Sequence, residues 1–316
     1  MKKNRLVAKV KDIEVLAKSL TDETLSLANS VSAEAGSDWR TLSILLTPFL
    51  SSDEIKIIGI TGSQGSGKTT FAQSLVTSLR SRKPLTVSLS LDDFYLSKTA
   101  RGELAESVHP LLATRGVPGT HETDLLEKVL NQVASGGMPK EISVPTFDKA
   151  RDDRGPNKSA YVGKLVLEGW CLGAAAQSVQ DLREPINDLE RVEDSSGEWR
   201  SWVNSQLQSR YHRLWQKVDF WIRLIPPSFT SVFEWRKKQE EQLDIRKRMS
   251  DTDLKRFIQH YERLTRWQWE SEKLLPGLEI HLDENHRVSD VRSVSYTHLR
   301  AHETGRNLVC RLLLEK

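Results

Sequence analysis

The stretch that decides the fold runs from residue 57 to residue 70 and reads Ile57-Ile58-Gly59-Ile60-Thr61-Gly62-Ser63-Gln64-Gly65-Ser66-Gly67-Lys68-Thr69-Thr70. An apolar run leads into a glycine-rich turn, and a helical pattern begins at Lys68. Gly62, Gly67, Lys68 and Thr69 occupy the fixed positions of G-x-x-x-x-G-K-[ST], the phosphate-binding loop. A glycine-rich turn that matches by chance is the alternative interpretation. The complete pattern between a strand-like run and a helix favours the functional one.

The spacing of this loop has a physical reason. Glycines let the backbone curl so that several N–H groups face phosphate oxygens. The helix that begins there adds the positive end of its dipole. We expect Lys68 to reach the terminal phosphates and the Thr69 hydroxyl to bind magnesium. The predicted nucleotide-binding residues are Gly62, Ser63, Gln64, Gly65, Ser66, Gly67, Lys68, Thr69 and Thr70.

The composition is that of a globular protein. The 316 residues are 38% hydrophobic and 28% charged, enough for one large α/β domain with extensions. No apolar run is long enough to span a bilayer, and no apolar signal core follows the basic residues 1–5. With only Cys171 and Cys310, a disulfide framework is excluded, and we expect a reducing cytoplasm.

Residues 294–316 resemble translated sequencing-adapter read-through, and a true amphipathic terminal helix is the alternative. These residues contribute +2 to the net charge of +3, which leaves +1 on the rest of the chain. The net positive charge of the chain is therefore no argument that it binds nucleic acid. We interpret the segment as a non-native tail that follows the native domain.

The order of the predicted elements indicates an α/β fold. Residues 1–50 read as an amphipathic helical extension, in which Leu6, Val10, Ile13, Ala17 and Leu20 recur at helical spacing. From residue 55 strands alternate with helices, which predicts a P-loop NTPase three-layer α/β/α sandwich with a mostly parallel sheet over residues 51–293. The predicted strands are 55–60, 85–91, 142–144, 164–167, 218–225 and 278–282, and the predicted helices are 68–80, 124–133, 229–248 and 251–273.

Two strand ends carry carboxylates. Asp92 and Asp93 follow the strand 85–91, and Glu168 ends the buried strand 164–167. Beside a phosphate loop, one such acid can accept the proton of an attacking hydroxyl, and another can hold magnesium or its water. We predict Asp92 as the base and Glu168 as the magnesium-side acid. The alternatives are that Asp92 and Asp93 are solvated turn acids and that Glu168 is a strand-end acid at the surface.

A constrained Gly-Pro loop contains Arg115 and His121. Arginine offers a planar fork that matches a carboxylate, and histidine can donate to a hydroxyl or carboxylate near neutral pH. We predict both as substrate contacts, although an isolated histidine is more often structural. The cluster 147–154 adds Lys149 and Arg154 near substrate anions, with a solvated loop as the alternative.

The helix 229–248 is basic and contains Arg236. We predict a lid over the phosphates in which Arg236 stabilises the transferred charge, or else an ordinary solvated face. Seven of the nine tryptophans lie between Trp199 and Trp269. Stacking on single-stranded nucleic acid is one interpretation of them, but helix packing is favoured because most of them lie in helical patterns.

With these residues assembled, the chain resembles the D-glycerate 3-kinase family, over about residues 55–293. Its wider group is similar to phosphoribulokinase, uridine kinase and pantothenate kinase. Two departures concern the acceptor side: Glu122 stands where the family usually has Asp, and the loop before Asp153 lacks the expected glycine-rich spacing. The resemblance rests on residues 62–70, 90–96, 115–121, 147–154, 167–173, 185–190, 235–240 and 261–266.

The resemblance implies an ATP- and Mg²⁺-dependent kinase that phosphorylates the primary hydroxyl of D-glycerate to give 3-phospho-D-glycerate. Asp92 would be the base, with Lys68 and Arg236 as the other catalytic residues, and Thr69 and Glu168 would position magnesium. The alternatives are a kinase for a nucleoside, a sugar or a pantothenate-like compound, a non-catalytic ATP-binding protein, and an NTPase linked to nucleic acid. The predicted substrate residues are Asp93, Tyr95, Arg115, His121, Lys149 and Arg154.

Overall fold

A computed structural model describes residues 37–135, 139–244, 248–270 and 277–294. The helical pattern at residues 6–20 and residues 295–316 of the predicted tail lie outside these ranges, whereas Val294, predicted as the first residue of that tail, is described. In chain order the strands are β1 (Ile57–Gly62), β2 (Thr86–Ser90), β3 (Lys140–Val144), β4 (Phe147–Asp148), β5 (Asp153–Arg154), β6 (Lys158–Val162), β7 (Lys164–Gly169), β8 (Phe220–Ile225), β9 (Gly277–Leu282) and β10 (Val288–Val294). The α-helices are α1 (Ser37–Leu50), α2 (Lys68–Leu79), α3 (Lys98–Ser107), α4 (Thr123–Ala134), α5 (Asp188–Glu193), α6 (Glu198–Gln206), α7 (His212–Trp215), α8 (Phe229–Glu241) and α9 (Asp251–Glu270).

A six-stranded sheet in the order β10-β9-β8-β1-β7-β2 forms the centre of the fold. The five strands from β9 to β2 run parallel, and β10 pairs antiparallel with β9 at one edge. Every residue of β1 and of β7 is buried, as expected for central strands that are covered on both faces. The carboxyl ends of β1, β7 and β2 therefore lie side by side, where an α/β sheet binds its ligands.

Helices cover both faces of this sheet. One core joins α1 and α2 to the strands through side chains such as Leu46 and Phe71. The other joins α4, α7 and α9 to the opposite face through Leu130, Trp215 and Leu264. This arrangement confirms the predicted three-layer α/β/α sandwich. Helix α1 is the described part of the predicted N-terminal extension, and its Ser43 and Thr47 hydroxyls bond to hydroxyls of α2.

Several boundaries differ from the predicted ones. The helix predicted over 229–248 ends at Glu241, and residue 248 lies outside any helix. The strands β4, β5, β6 and β10 were not predicted. β4 pairs with β5 and β6 pairs with β3 in two separate two-stranded sheets, and β10 pairs with β9 at an edge of the central sheet. None of the described helices combines the length and the apolar character that crossing a bilayer requires.

Candidate active site

The phosphate loop joins the end of β1 to the start of α2. Gly65 has φ 77° and Gly67 has φ 83°, in the left-handed region that favours glycine. A Cβ at Gly65 would lie 2.7 Å from the Cβ of Trp235, and one at Gly67 would lie 3.2 Å from the Trp39 ring nitrogen. The turn therefore needs glycine for its backbone angles and for its close contacts. At the start of a helix, this geometry fits an anionic phosphate.

The turn between β9 and β10 braces the same loop. The His286 ring lies 2.7 Å from the Gly65 carbonyl oxygen through Nε2 and stacks on Trp235 with ring centroids 4.0 Å apart. Burial, the largest effect, lowers the pKa of His286. Because a carbonyl can only accept, the Nε2 atom carries the proton and donates it. The Trp235 indole N–H in turn donates to the Glu284 carbonyl at 2.9 Å.

Thr69 and Glu168 meet beside this loop. The Thr69 hydroxyl donates to Oε1 of Glu168 at 3.0 Å. Glu168 is 4% exposed, and its Oε2 atom has no hydrogen-bond partner among the described residues. A hydroxyl and a carboxylate are the hard oxygen ligands that Mg²⁺ takes, usually with waters and substrate phosphates as its other ligands. The pair fits the predicted magnesium site.

The predicted base lies in the turn after β2. This strand ends at Ser90, one residue before the predicted end, and residues 91–94 form a 3₁₀ turn that contains Asp92. The Tyr95 hydroxyl donates to Oδ1 of Asp92 at 2.8 Å, and the Lys149 ammonium donates to Oδ2 at 2.7 Å. Asp93 instead accepts from the Ser90 backbone N–H at 3.4 Å and closes a capping box. Asp92 thus has a defined orientation.

The charges around Asp92 keep it ionised. Burial acts to raise the pKa of this carboxyl, but the positive charges of Lys149 and Lys68, together with the hydrogen bonds from Lys149 and Tyr95, outweigh it, and the pKa is lowered. The charge of Lys68 is thus among those that lower the pKa of Asp92, which fits a base beside the phosphate loop. For Asp93 the balance is the reverse: burial dominates, and its pKa is raised.

Aromatic side chains fix the Gly-Pro loop between Arg115 and His121. Gly116 and Gly119 have φ 129° and 101°, and a Cβ there would lie 2.5 Å from Tyr261 and 2.3 Å from Trp202, respectively. Both positions therefore require glycine. Three bonds hold the backbone: the Trp170 indole donates to the Gly116 carbonyl at 2.9 Å, the Tyr261 hydroxyl donates to the Arg115 carbonyl at 2.9 Å, and the Gly119 N–H donates to the Tyr211 hydroxyl at 2.8 Å.

His121, at the end of this loop, is 4% exposed. Its ring stacks on Tyr95 with centroids 4.7 Å apart, and its Nδ1 atom lies 2.7 Å from the Tyr211 hydroxyl oxygen. The Nε2 atom is buried and has no partner among the described residues. Burial lowers the pKa of His121 to about 4, although the nearby Asp92 charge opposes this change. The ring is therefore neutral near pH 7.

Arg115 belongs to a cationic cluster around Asp152. Its guanidinium forms an ion pair with Asp152, which also pairs with Arg101 at 2.6 Å. Both guanidinium groups lie over the Phe147 ring, at 5.5 and 5.6 Å from its centroid. Arg101 is 1% exposed, and the sequence offered no signal for it because α3 is mostly polar. The cluster holds the Arg115 side chain at the start of the Gly-Pro loop, which ends at His121.

The other two predicted arginines lie in ion pairs of their own. Arg154 pairs with the Glu122 carboxylate at 3.0 Å. Glu122 stands at the N-cap of α4 and makes no side-chain cap bond there, because its carboxylate contacts Arg154. Arg236 pairs with Glu240 one turn further along α8, and its guanidinium carbon lies 5.8 Å from the Phe257 ring centroid. The structure thus places Lys149 against Asp92, but it engages Arg154 and Arg236 elsewhere.

Comparison with known proteins gave matches over most of the chain. The model of the phosphoribulokinase/uridine kinase family matches residues 57–185. The uncharacterized kinase mug58 of Schizosaccharomyces pombe is 35% identical over 229 residues, which cover 65% of this chain and 78% of that protein. Chloroplastic D-glycerate 3-kinase of Arabidopsis thaliana is 28% identical over 224 residues, which cover 65% of this chain and 46% of that protein.

A solved structure has the same fold. D-glycerate 3-kinase from Cryptococcus neoformans var. grubii superposes with a TM-score of 0.64 at 23% identity, covering 81% of this chain and 97% of that one. At this identity the similarity shows the fold alone. The sequence matches confirm the family resemblance noted above, and the superposition confirms the fold.

Proposed function

The chain belongs to the phosphoribulokinase/uridine kinase family of P-loop kinases, and we propose that it transfers the γ-phosphate of ATP to the primary hydroxyl of D-glycerate. The product would be 3-phospho-D-glycerate. The observation that carries this proposal is the position of Asp92, held by Tyr95 and Lys149 and close enough to Lys68 for that charge to lower its pKa. The relative from Arabidopsis thaliana, named as a D-glycerate 3-kinase, supports the choice of acceptor.

Asp92 acts as the base in this mechanism. It accepts the hydroxyl proton of the acceptor as the hydroxyl oxygen forms a bond to the γ-phosphorus. The bond from that phosphorus to the bridging oxygen breaks, and ADP leaves. Lys68 and the loop N–H groups hold the phosphates in line, so most of the catalysis is positioning and charge neutralisation.

Thr69 and Glu168 would hold magnesium, which neutralises phosphate charge when bound. The buried Oε2 atom of Glu168, which has no partner among the described residues, supports this assignment. Arg236 would add positive charge at the transferred group. For this role it would have to leave Glu240, with which it pairs in the structure.

The acceptor carboxylate would bind to Arg115 and His121. Arg115 keeps N–H donors besides the one that contacts Asp152, because a guanidinium has five of them. His121 has a buried ring nitrogen with no partner among the described residues. Asp93, Tyr95, Lys149 and Arg154 complete the proposed acceptor side, with Tyr95 and Lys149 acting through Asp92.

An ADP-release assay with D-glycerate tests the proposal. We expect turnover that depends on both ATP and D-glycerate, with phosphate on the primary hydroxyl of the product. Folded protein that binds ATP but shows no D-glycerate-dependent turnover would reject it. The same assay with L-glycerate, uridine, simple sugars and pantothenate identifies a different acceptor. Stimulation by DNA or RNA that falls steeply with salt would indicate a nucleic-acid-linked NTPase.

We further propose that residues 51–293 form the kinase domain, that residues 295–316 of the predicted tail 294–316 are dispensable, and that the protein works in the cytoplasm. Strand β10 pairs with β9 up to Val294 itself. A chain that ends at Val294 is therefore expected to match the full chain in the same assay. A large loss of turnover on truncation would reject the tail assignment.

A further inference from the structure

Tyr211 contacts the candidate acceptor site from a distant part of the chain, and no sequence pattern assigned it a role. It ends the π-helical turn 207–211, between α6 and α7. π-Helical turns inside helices occur often at functional sites. Tyr211 is fully buried, and its hydroxyl lies between the Gly119 backbone N–H, at 2.8 Å, and Nδ1 of His121, at 2.7 Å. One hydroxyl thus contacts both the backbone of the Gly-Pro loop, at Gly119, and the ring of His121 at the end of that loop.

The directions of these two bonds follow from the available protons. A backbone N–H can only donate, so the Tyr211 oxygen accepts from Gly119. The hydroxyl proton of Tyr211 then needs an acceptor, and Nδ1 of His121 is the one that its contacts with the described residues provide. Burial, the largest effect, raises the pKa of Tyr211 well above its usual range, so the hydroxyl keeps this proton to donate.

A histidine whose Nδ1 accepts a hydrogen bond carries its proton on Nε2 when it is neutral. We propose that Tyr211 is a positioning residue that fixes this tautomer, so that His121 presents an uncharged Nε2–H donor to an oxygen of the acceptor molecule. This inference rests on the proposed function for the identity of the acceptor, but the tautomer itself does not depend on it.

The surroundings of the His121 ring support a neutral donor. The ionisable side chains that face it are Tyr95, which stacks on it, Tyr211, and the nearby Asp92 carboxylate. The buried Nε2 atom has no partner among the described residues, and leaving a buried N–H without one is costly. An acceptor oxygen would satisfy it. A neutral donor can orient a carboxylate or hydroxyl without forming an ion pair that competes with Lys149 for Asp92.

Long-range ¹H–¹⁵N NMR spectra of the full chain test the tautomer directly. The chain has eight histidines, so the His121 signals are assigned by their loss in His121→Gln. We expect a neutral ring at pH 7 with a protonated Nε2 and an unprotonated Nδ1. A ring that is charged at pH 7, or one protonated on Nδ1, would overturn the proposal. The tautomer is read from the unsubstituted protein without substrate, and the variant serves only for assignment, so a failure of D-glycerate to react would leave this readout unaffected.

The variant Tyr211→Phe removes the hydroxyl and keeps the ring. We expect the Nδ1 and Nε2 signals of His121 to move toward a mixture of tautomers. The KM for the acceptor should rise about 10-fold, as for loss of one buried hydrogen bond, while the KM for ATP stays the same. Tyr161→Phe is the matched control, because Tyr161 is 56% exposed on β6, and it should change neither quantity. Unchanged His121 signals in Tyr211→Phe would overturn the proposal, whatever happened to turnover.

Discussion

The Thr69 hydroxyl and the Glu168 carboxylate, 99 residues apart in the chain, meet at 3.0 Å between Oγ1 and Oε1. The contact joins the first turn of α2 to the end of β7. These two elements are fixed relative to each other because β7 pairs directly with β1, which leads into the phosphate loop. The two oxygens that we propose as magnesium ligands are therefore held in place by the central sheet.

Glu168→Gln tests this pair. The amide keeps the size of the side chain but removes its negative charge, so we expect turnover to fall by about 10²-fold and the magnesium requirement to rise. Turnover measured against Mg²⁺ concentration gives both quantities. Glu103→Gln, at an exposed position on α3, is the control and should behave as the unsubstituted protein. An unaltered magnesium requirement in Glu168→Gln would remove this residue from the metal site.

Asp92→Asn tests the base. An amide cannot accept the hydroxyl proton, and we expect kcat to fall by about 10²-fold or more, while calorimetry shows ATP binding of near-normal affinity. Lys68→Ala should instead weaken ATP binding and turnover together, because in the proposed mechanism its charge holds the phosphates. Asp124→Asn serves as the control, since Asp124 is 83% exposed. Near-normal turnover of Asp92→Asn would exclude Asp92 as the base.

Lys149→Ala tests the electrostatics around the base. The lowered pKa of Asp92 keeps the carboxylate ionised, and thus able to accept a proton, as the pH falls below the range of an ordinary aspartate. Removing the Lys149 charge should raise this pKa, so the acid limb of kcat/KM should move to higher pH. A pH profile from about pH 4 to pH 8 measures the shift. Lys158→Ala is the control, because Lys158 is an exposed lysine on β6, and it should not shift the pH profile. If Lys149→Ala did not shift the profile either, Lys149 would not be the charge that lowers the pKa of Asp92.

Gly116→Ala tests the Gly-Pro loop. A methyl group there would lie 2.5 Å from Tyr261, at a φ of 129° that an L-residue rarely adopts. We expect a lower melting temperature and a KM that rises for the acceptor more than for ATP. Gly102→Ala is the matched control, because nothing lies within 4 Å of its Cβ position in α3, and alanine favours the helix there. Equal behaviour of the two variants would show that the loop tolerates a side chain.

Glu190→Ala tests a buried ion pair that joins helix α5 to helix α9. Glu190 is 0% exposed and binds Arg263 of α9 through both carboxylate oxygens, at 2.7 Å each. Removing one partner leaves a buried charge unpaired, so the free energy of unfolding should fall by about 3–5 kcal/mol. Asp188→Ala, in the same helix, removes the exposed pair with Arg191 and should cost less than about 1 kcal/mol. Chemical denaturation of both variants measures the difference.

The sequence predicted those parts of the site that depend on local pattern. The phosphate loop is one continuous motif, and Asp92 and Glu168 follow strands whose apolar runs are easy to recognise. Since parallel strands end at the same edge of a sheet, their nearness to the loop also followed from the fold class. The predicted fold was right for the same reason: the alternation of strands and helices is strong in this chain.

What the sequence missed depends on contacts between distant segments. Tyr211 lies 90 residues from His121, in a segment for which no strand or helix was predicted. Arg101 is buried in a mostly polar helix only because Asp152 and Phe147 lie opposite it. Likewise, no local signal indicated that Arg154 would pair with Glu122. Ion pairs and hydrogen bonds of this kind depend on tertiary packing. The periodicity of hydrophobic residues along the chain does not indicate them.

The bond between His286 and the Gly65 carbonyl spans 221 positions in the chain. Nucleotide recognition is therefore not a property of the glycine-rich motif by itself, since a hairpin near the far end of the sequence helps to set the shape of that turn. A fragment cut just before β9 would retain all the residues of the phosphate-loop motif. It would still lack His286, whose hydrogen bond supports the glycine-rich turn at Gly65. Engineering of this enzyme should treat that hairpin as belonging to the ATP site.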